Sequence, residues 1–278
     1  MSAEHLPPLR DIIALFELNA KKALGQHFLT DTNLLAKVVR AAGPIDGMQI
    51  VEVGPGPGGL TRAILESPAR ELIAMEMDSR CVVALQSLHD AYPGRFTLHQ
   101  GDALKMPLAA LGQQPRAVIA NLPYNVGTQL VVNWLQEVAQ HGPAVLQHFT
   151  VMLQKEVAER MVAQVGDDAY GRLSVLMHQF TDAQIMFDVP PGAFSPPPKV
   201  MSSVLHARVL AQPREDVPLK ALEAVVAAAF NHRRKMLRQS LKSIEVDAVA
   251  WCERAGIDPT LRAENCTLEM FAALVRAR

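Results

Sequence analysis

"VEVGPGPGGLT", residues 51–61, decides how the rest of the chain is read. An apolar run stops at a glycine-rich turn, and helical spacing follows. That order brings backbone N–H groups close to a ligand at a helix N-terminus. Gly54, Gly56 and Gly59 also fit the dinucleotide pattern G-x-G-x-x-G. The match alone is weak, because a turn that is merely tight has the same letters. Pro55 and Pro57 stiffen the loop and remove two donors. The loop is therefore a poor pyrophosphate cradle and a fair wall for a ligand without phosphates.

The same rhythm extends outward. "MQIVEV", "ELIAMEM", "RFTLHQ", "RAVIA" and "QHFTVML" read as strands, with helical segments such as "SRCVVALQSLHDAY" and "TQLVVNWLQEVAQ" between them. Apolar strands alternating with helices predict an α/β fold, a Rossmann-like parallel sheet with helices on both faces. "AQIMFDV" and "SSVLHARV", joined by a long loop without a helix, predict an antiparallel pair at the sheet edge. After residue 212 the strand signals stop. The expected organisation is an N-terminal extension (1–22), a ligand-binding sheet domain (23–211) and a small C-terminal helical domain (212–278).

The 278 residues are 49% hydrophobic and 20% charged, as in ordinary folded proteins. No apolar run approaches the roughly 20 residues that span a bilayer. The N-terminus lacks a basic start followed by an apolar core, and its acids count against a mitochondrial leader. Cys81, Cys252 and Cys266 lie far apart and form no metal-ligating cluster. A cytoplasmic protein without a metal is expected. No heptad seam is present, so a monomer is the default.

Three strand ends carry the chemistry. Gly54 follows the first. Glu76 ends the second, 22 residues on, where a carboxylate accepts both ribose hydroxyls of a nucleoside. Asp102 ends the third, placed to accept from an exocyclic adenine amine. Either acid alone also reads as a solvated strand end or a helix cap. Together, outside the carboxyl ends of successive strands, they predict an adenosine-containing cofactor. NAD and S-adenosylmethionine both qualify.

"NLPYN", residues 121–125, separates them. A hydride enzyme has no use for it, whereas a methyltransferase acting on an aromatic amine does. The amine lone pair is delocalised into its ring. The Asn121 side-chain oxygen and the Leu122 carbonyl can hold the N–H protons and turn the lone pair toward a methyl donor. Pro123 locks the turn and Tyr124 stacks on the target ring. This is catalysis by orientation, with electrostatic help as the amine gains charge. Glu52, just before the glycine loop, either orients that loop, contacts the donor or is simply a satisfied buried acid.

"ALGQHFLTD", "VEVGPGPGGLT", "EMDSR", "GDAL", "NLPYNVGTQL", "MLQKEVAERM", "YGRLSVL", "FSPPPKVMSSV" and "AFNHRRKMLRQSL" occur in this order. Together they resemble the ribosomal RNA adenine dimethyltransferase family, most of all its bacterial small-subunit members. The resemblance runs from about residue 20 to "GIDPTLRAEN". It implies a class I methyltransferase using S-adenosylmethionine to dimethylate N6 of two adjacent adenosines. These lie in the 3′-terminal hairpin loop of 16S rRNA, and the partner is a small-subunit precursor. It also implies cofactor contacts at His27, Leu29, Gly54, Glu76, Asp102 and Asn121. The family usually reads G-Q-N-F-L, and here His27 replaces the Asn.

Phe194 stands ahead of three prolines on a stiff segment, where its ring would form the second side of a base sandwich with Tyr124. Core packing is the plainer alternative. Arg233, Arg234, Lys235, Arg238 and Lys242 form a basic block without an acid, read as one helix facing RNA phosphates. A solvated helix face is its plainer alternative. Two further readings stand beside small-subunit methylation, the first of them compatible with it. One is a checkpoint that binds immature subunits, and the other is a large-subunit enzyme conferring antibiotic resistance. The "FSPPPKV" loop and helical tail fit the small-subunit enzyme better.

Overall fold

The computed structural model describes residues 6–16, 18, 27–112 and 114–278. Ala23–Gln26 of the first motif and residues 1–5, 17 and 19–22 of the expected extension lie outside them. The chain forms two compact units, one of residues 1–158 and 184–209, the other of residues 159–183 and 210–278.

The first unit is built on a seven-stranded sheet in the order β4-β3-β2-β5-β6-β9-β7. These strands are β2 (Gln49–Val53), β3 (Glu71–Glu76), β4 (Phe96–Gln100), β5 (Arg116–Asn121), β6 (His148–Gln154), β7 (Thr181–Val189) and β9 (Ser202–Val209). β2 to β6 pair in parallel, and β9 runs antiparallel to β6. A further pair, β1 (Phe28–Leu29) with β8 (Phe194–Ser195), was not foreseen.

The central strands are buried on both faces, which explains their unbroken apolar runs. Ile50, Leu72 and Ala117 share one face with α2 (Thr32–Ala41), α3 (Gly59–Leu65) and α4 (Ser79–Ala91). The opposite face carries α5 (Gly127–His141), whose Trp134 ring lies 6.0 Å from Phe149. Asp31 and Asp78 cap α2 and α4 by accepting first-turn N–H groups. A short helix, α1 (Leu9–Leu15), lies in the stretch that carried no sequence assignment, with Ile12 packed among Leu18, Phe28, Cys81 and Ala84.

α6 (Lys155–Val162) leads from the first unit into the second. The second contains α7 (Arg172–Phe180), α8 (Leu219–Asn231), α9 (Leu237–Ser240), α10 (Ala248–Arg254) and α11 (Leu268–Arg276). Its core joins Ala163, Tyr170 and Val175 to Val225, Leu237, Trp251 and Phe271. Residues 159–183 thus belong with the C-terminal helices, whereas the expected boundary lay only at 211/212. Tyr170 shows why: it is fully buried there, and its hydroxyl donates to the Cys266 carbonyl at 3.0 Å.

The basic block is not one helix, which corrects the sequence reading. α8 ends at Asn231, residues 232–235 turn, and Met236 bridges Arg262. The Leu237 N–H donates to the Leu261 carbonyl at 2.7 Å and that of Arg238 to Pro259 at 3.0 Å. Adjacent like charges weaken helix continuation, and the 259–262 segment supplies the backbone partners instead. Arg233 pairs with Glu264 at 2.9 Å, while Arg234, Lys235, Arg238 and Lys242 are exposed.

Candidate active site

The chain leaves β2 toward β3 and β4 on one side and returns as β5 on the other. Ligands in open α/β sheets bind outside the carboxyl ends at such a reversal. A cleft partly open to solvent lies there. His27, Leu29, Glu52, Gly54, Glu76, Asp102, Asn121, Leu122 and Tyr124 all line it.

The glycine loop is shaped by close contacts. Gly54 has φ +68°, and an added Cβ would touch Pro123 of the "NLPYN" turn at 3.5 Å. Gly56 has φ +55° and would press its Cβ to 3.1 Å from the Phe28 ring. Both positions need the left-handed region, which L side chains enter at a cost.

The strand-end acids differ in environment. The buried Glu76 accepts the Gly56 N–H at 3.0 Å on one oxygen and the Asp78 N–H at 2.8 Å on the other. Burial pushes its pKa up, and the backbone N–H bonds pull against that. The Met77 N–H also bonds this carboxylate, so of its about four lone-pair sites one stays open for a ligand hydroxyl. Asp102 caps a short 3₁₀ turn, accepting the Leu104 N–H at 3.0 Å through one oxygen. Glu52 is 1% exposed, and burial raises its pKa to about 8, with the Thr61 hydroxyl acting the other way. It is therefore protonated at neutral pH, and its Oε2 has no hydrogen-bond partner among the described residues. A buried polar atom left open in this way fits a polar ligand better than a closed structural role.

Asn121 ends β5, paired with Met152. Its Nδ2 donates to the His27 carbonyl at 3.2 Å, which leaves Oδ1 as an acceptor. The Leu122 N–H continues the ladder to the Met152 carbonyl at 3.1 Å. Pro123 then accepts the Gly127 N–H at 2.9 Å and starts α5. The half-buried Tyr124 bonds to the Ser202 hydroxyl at 2.6 Å. Burial raises the Tyr124 pKa, so the phenol stays neutral.

Phe194 is not brought onto the cleft wall. It is 5% exposed, paired with Leu29 across β1 and β8, and packed in the core. Its ring meets the edge of His27, at 6.5 Å and 79°. The His27 imidazole instead lies 5.4 Å from Tyr124 and 2.9 Å from the Pro196 carbonyl. Ser202 and Pro196 had no assigned role in the sequence reading. Both stand in the "FSPPPKVMSS" stretch, but their contacts depend on which sheet edge that stretch reaches. Among the described residues, no group of three or more His, Cys, Asp or Glu is placed to hold a metal.

Comparison with known proteins adds a second line of support. The family described as ribosomal RNA adenine dimethylase matches residues 17–277. A ribosomal RNA small subunit methyltransferase A of Ruegeria sp. (strain TM1040) is 51% identical, over 100% of this chain and 99% of its own length. The like-named protein of Paracoccus denitrificans (strain Pd 1222) is 52% identical, over 99% and 98%. Among solved structures, a dimethyladenosine transferase from Plasmodium falciparum has a TM-score of 0.72 at 25% identity, covering 89% of this chain and 96% of that one. The 23S rRNA methyltransferase ErmE shares the fold, with a TM-score of 0.65 at 24% identity over 90% and 98%.

Proposed function

The chain belongs to the ribosomal RNA adenine dimethylase family, and from that premise we propose how its cleft dimethylates N6 of two adjacent adenosines in the 3′-terminal hairpin loop of small-subunit rRNA. S-adenosylmethionine, when bound, supplies an electrophilic methyl group on a sulfonium. Glu76 keeps a lone pair to accept from the ribose hydroxyls, and Asp102 stands at the next strand end for the adenine amine. The glycine loop lies between them and Asn121.

The observation that carries the reading is the anchored amide of Asn121. With Nδ2 tied to the His27 carbonyl, Oδ1 is an acceptor held at the lip of β5. Oδ1 and the Leu122 carbonyl accept hydrogen bonds from the two N–H groups of the target amine. The nitrogen lone pair is then turned out of the base plane, and both oxygens stabilise the charge that develops on nitrogen. One of the two N–H protons is released to solvent as the new C–N bond forms. Tyr124 offers a ring for the extruded base. After one round the amine keeps a single N–H, so the second transfer needs room for a methyl group beside Asn121.

The partner is a small-subunit precursor and the compartment the cytoplasm, with the protein acting as a monomer. No described helix is long and apolar enough to cross a membrane. The exposed Arg234, Lys235, Arg238 and Lys242 supply phosphate contacts. Reversing Arg234 and Arg238 to Glu is expected to weaken subunit binding and flatten its salt dependence. Unchanged binding and slope would remove these residues from the interface.

The reaction is tested with labelled S-adenosylmethionine, undermethylated small subunits and nucleoside analysis, with large subunits in parallel. N6,N6-dimethyladenosine in small-subunit RNA alone is the expected product. Label in large-subunit RNA, or none with cofactor binding intact, overturns the substrate assignment.

A further inference from the structure

We infer that His27 is a positioning residue for the target base, acting on Tyr124 through its ring and on Asn121 through its carbonyl. This rests on the proposed methyl transfer and differs from the cofactor contact that the family resemblance implies for this position.

Four contacts carry it. The His27 Nδ1 lies 2.9 Å from the Pro196 carbonyl, which can only accept, so Nδ1 bears the proton and the ring orientation is fixed. The ring lies 5.4 Å from Tyr124 at 33°, within contact range for aromatic pairs. Its edge meets the buried Phe194 ring at 6.5 Å. The His27 carbonyl takes the Asn121 Nδ2–H at 3.2 Å.

Tyr124 is therefore held at two points, its ring by His27 and its hydroxyl by Ser202 at 2.6 Å. Rings in contact leave no room for a base between them, so the base takes the other face of Tyr124. Phe194 contributes by backing His27 rather than by touching the base. The Asn usually found at this position supplies a carbonyl but no ring. The Tyr124 backing is thus a property of the His27 side chain.

The test compares His27→Ala and His27→Phe with the unaltered protein, using undermethylated small subunits, calorimetric cofactor binding and thermal melting. Alanine keeps the carbonyl and loses the ring. The KM for subunits is expected to rise about five- to tenfold, the loss of one aromatic contact, with kcat and cofactor Kd changed by less than about twofold. Phenylalanine restores the ring and most of the KM. A raised cofactor Kd with unchanged subunit KM would return His27 to the donor side and overturn the inference. So would equal impairment by both variants, or no effect of either. If alanine lowers the melting point sharply, the phenylalanine variant decides alone. Absence of transfer by the unaltered protein overturns the reaction itself, and the inference with it.

Discussion

The two ends of β2 and β5 use polar groups in opposite ways. At the amino end, Arg116 is 1% exposed, and every guanidinium nitrogen has a partner. Nε donates to Gln49 Oε1 at 2.7 Å. The terminal nitrogens reach the carbonyls of Leu108 at 2.5 Å, Val145 and Gly112 at 3.1 Å, and Leu111. At the carboxyl end, Glu52 has an oxygen without a partner, Asn121 an uncommitted Oδ1, and Glu76 a spare lone pair. The difference teaches where to look for function in a buried sheet. A saturated polar cluster fixes the fold, whereas one left incomplete at a strand reversal awaits a ligand.

The largest effect should come from the saturated end. Arg116→Met is expected to cost about 3 kcal/mol or more, because several buried carbonyls lose a donor at about 1–3 kcal/mol each. Removing a charge whose burial already lowers its pKa offsets part of this. Urea unfolding measures the loss. The folded fraction should bind S-adenosylmethionine as before, and a lost affinity at unchanged stability would break the division between the two ends. Asn121→Ala makes the converse case. Losing one oriented acceptor should lower kcat about a hundredfold or more in single-turnover transfer, with little change in melting temperature. A stability loss with normal kcat would place Asn121 among the structural groups.

The incomplete end was the more legible one in the sequence. Gly54, Glu76, Asp102 and Asn121 each follow a recognisable strand, so a local pattern was enough to bring them to one edge. Tyr124 came with the turn that contains it. Phe194 was misplaced because its position depends on β1 pairing with β8, two short segments far apart in the chain. His27 does line the cleft, but its ring contacts depend on the same pairing. The basic block looked helical because its apolar spacing is helical. The break at 232–236 depends on bonds to residues 259–262, which no local pattern reports. The clamp around Arg116 was invisible for the same reason, since most of its partners are loop carbonyls.

A third test uses the acid that the cleft keeps protonated. Glu52 has a folded pKa of about 8 against an ordinary 4.5. A raised pKa contributes stability that is fully present below pH 4.5 and is lost as pH rises through about 8. Glu52→Gln is neutral at every pH. Its stability relative to the unaltered protein should therefore improve steadily across that window, at no more than about 1.4 kcal/mol per pH unit. A difference independent of pH would mean that Glu52 is ionised and partnered.

His148, at the amino end of β6, should show the opposite sign and a smaller effect. It is 8% exposed, with Nε2 3.4 Å from the Met48 sulfur and its ring 5.4 Å from His206. Burial, then His206, lowers its pKa from 6.5 to about 4. This shift is smaller than that of Glu52. A depressed pKa keeps its stability above pH 6.5 and loses it as pH falls through about 4, because the unfolded chain takes up the proton first. His148→Phe cannot titrate, so its unfolding midpoint should gain on the unaltered protein as pH falls through that window. Methyl transfer at pH 8 should be unchanged, since the ring lies at the end away from the cleft. Between pH 4.5 and 6.5 the two groups oppose each other, so the double variant should show a flatter stability profile than either single one. A profile that keeps its slope there would assign the titration to other groups and erase this electrostatic contrast between the two ends.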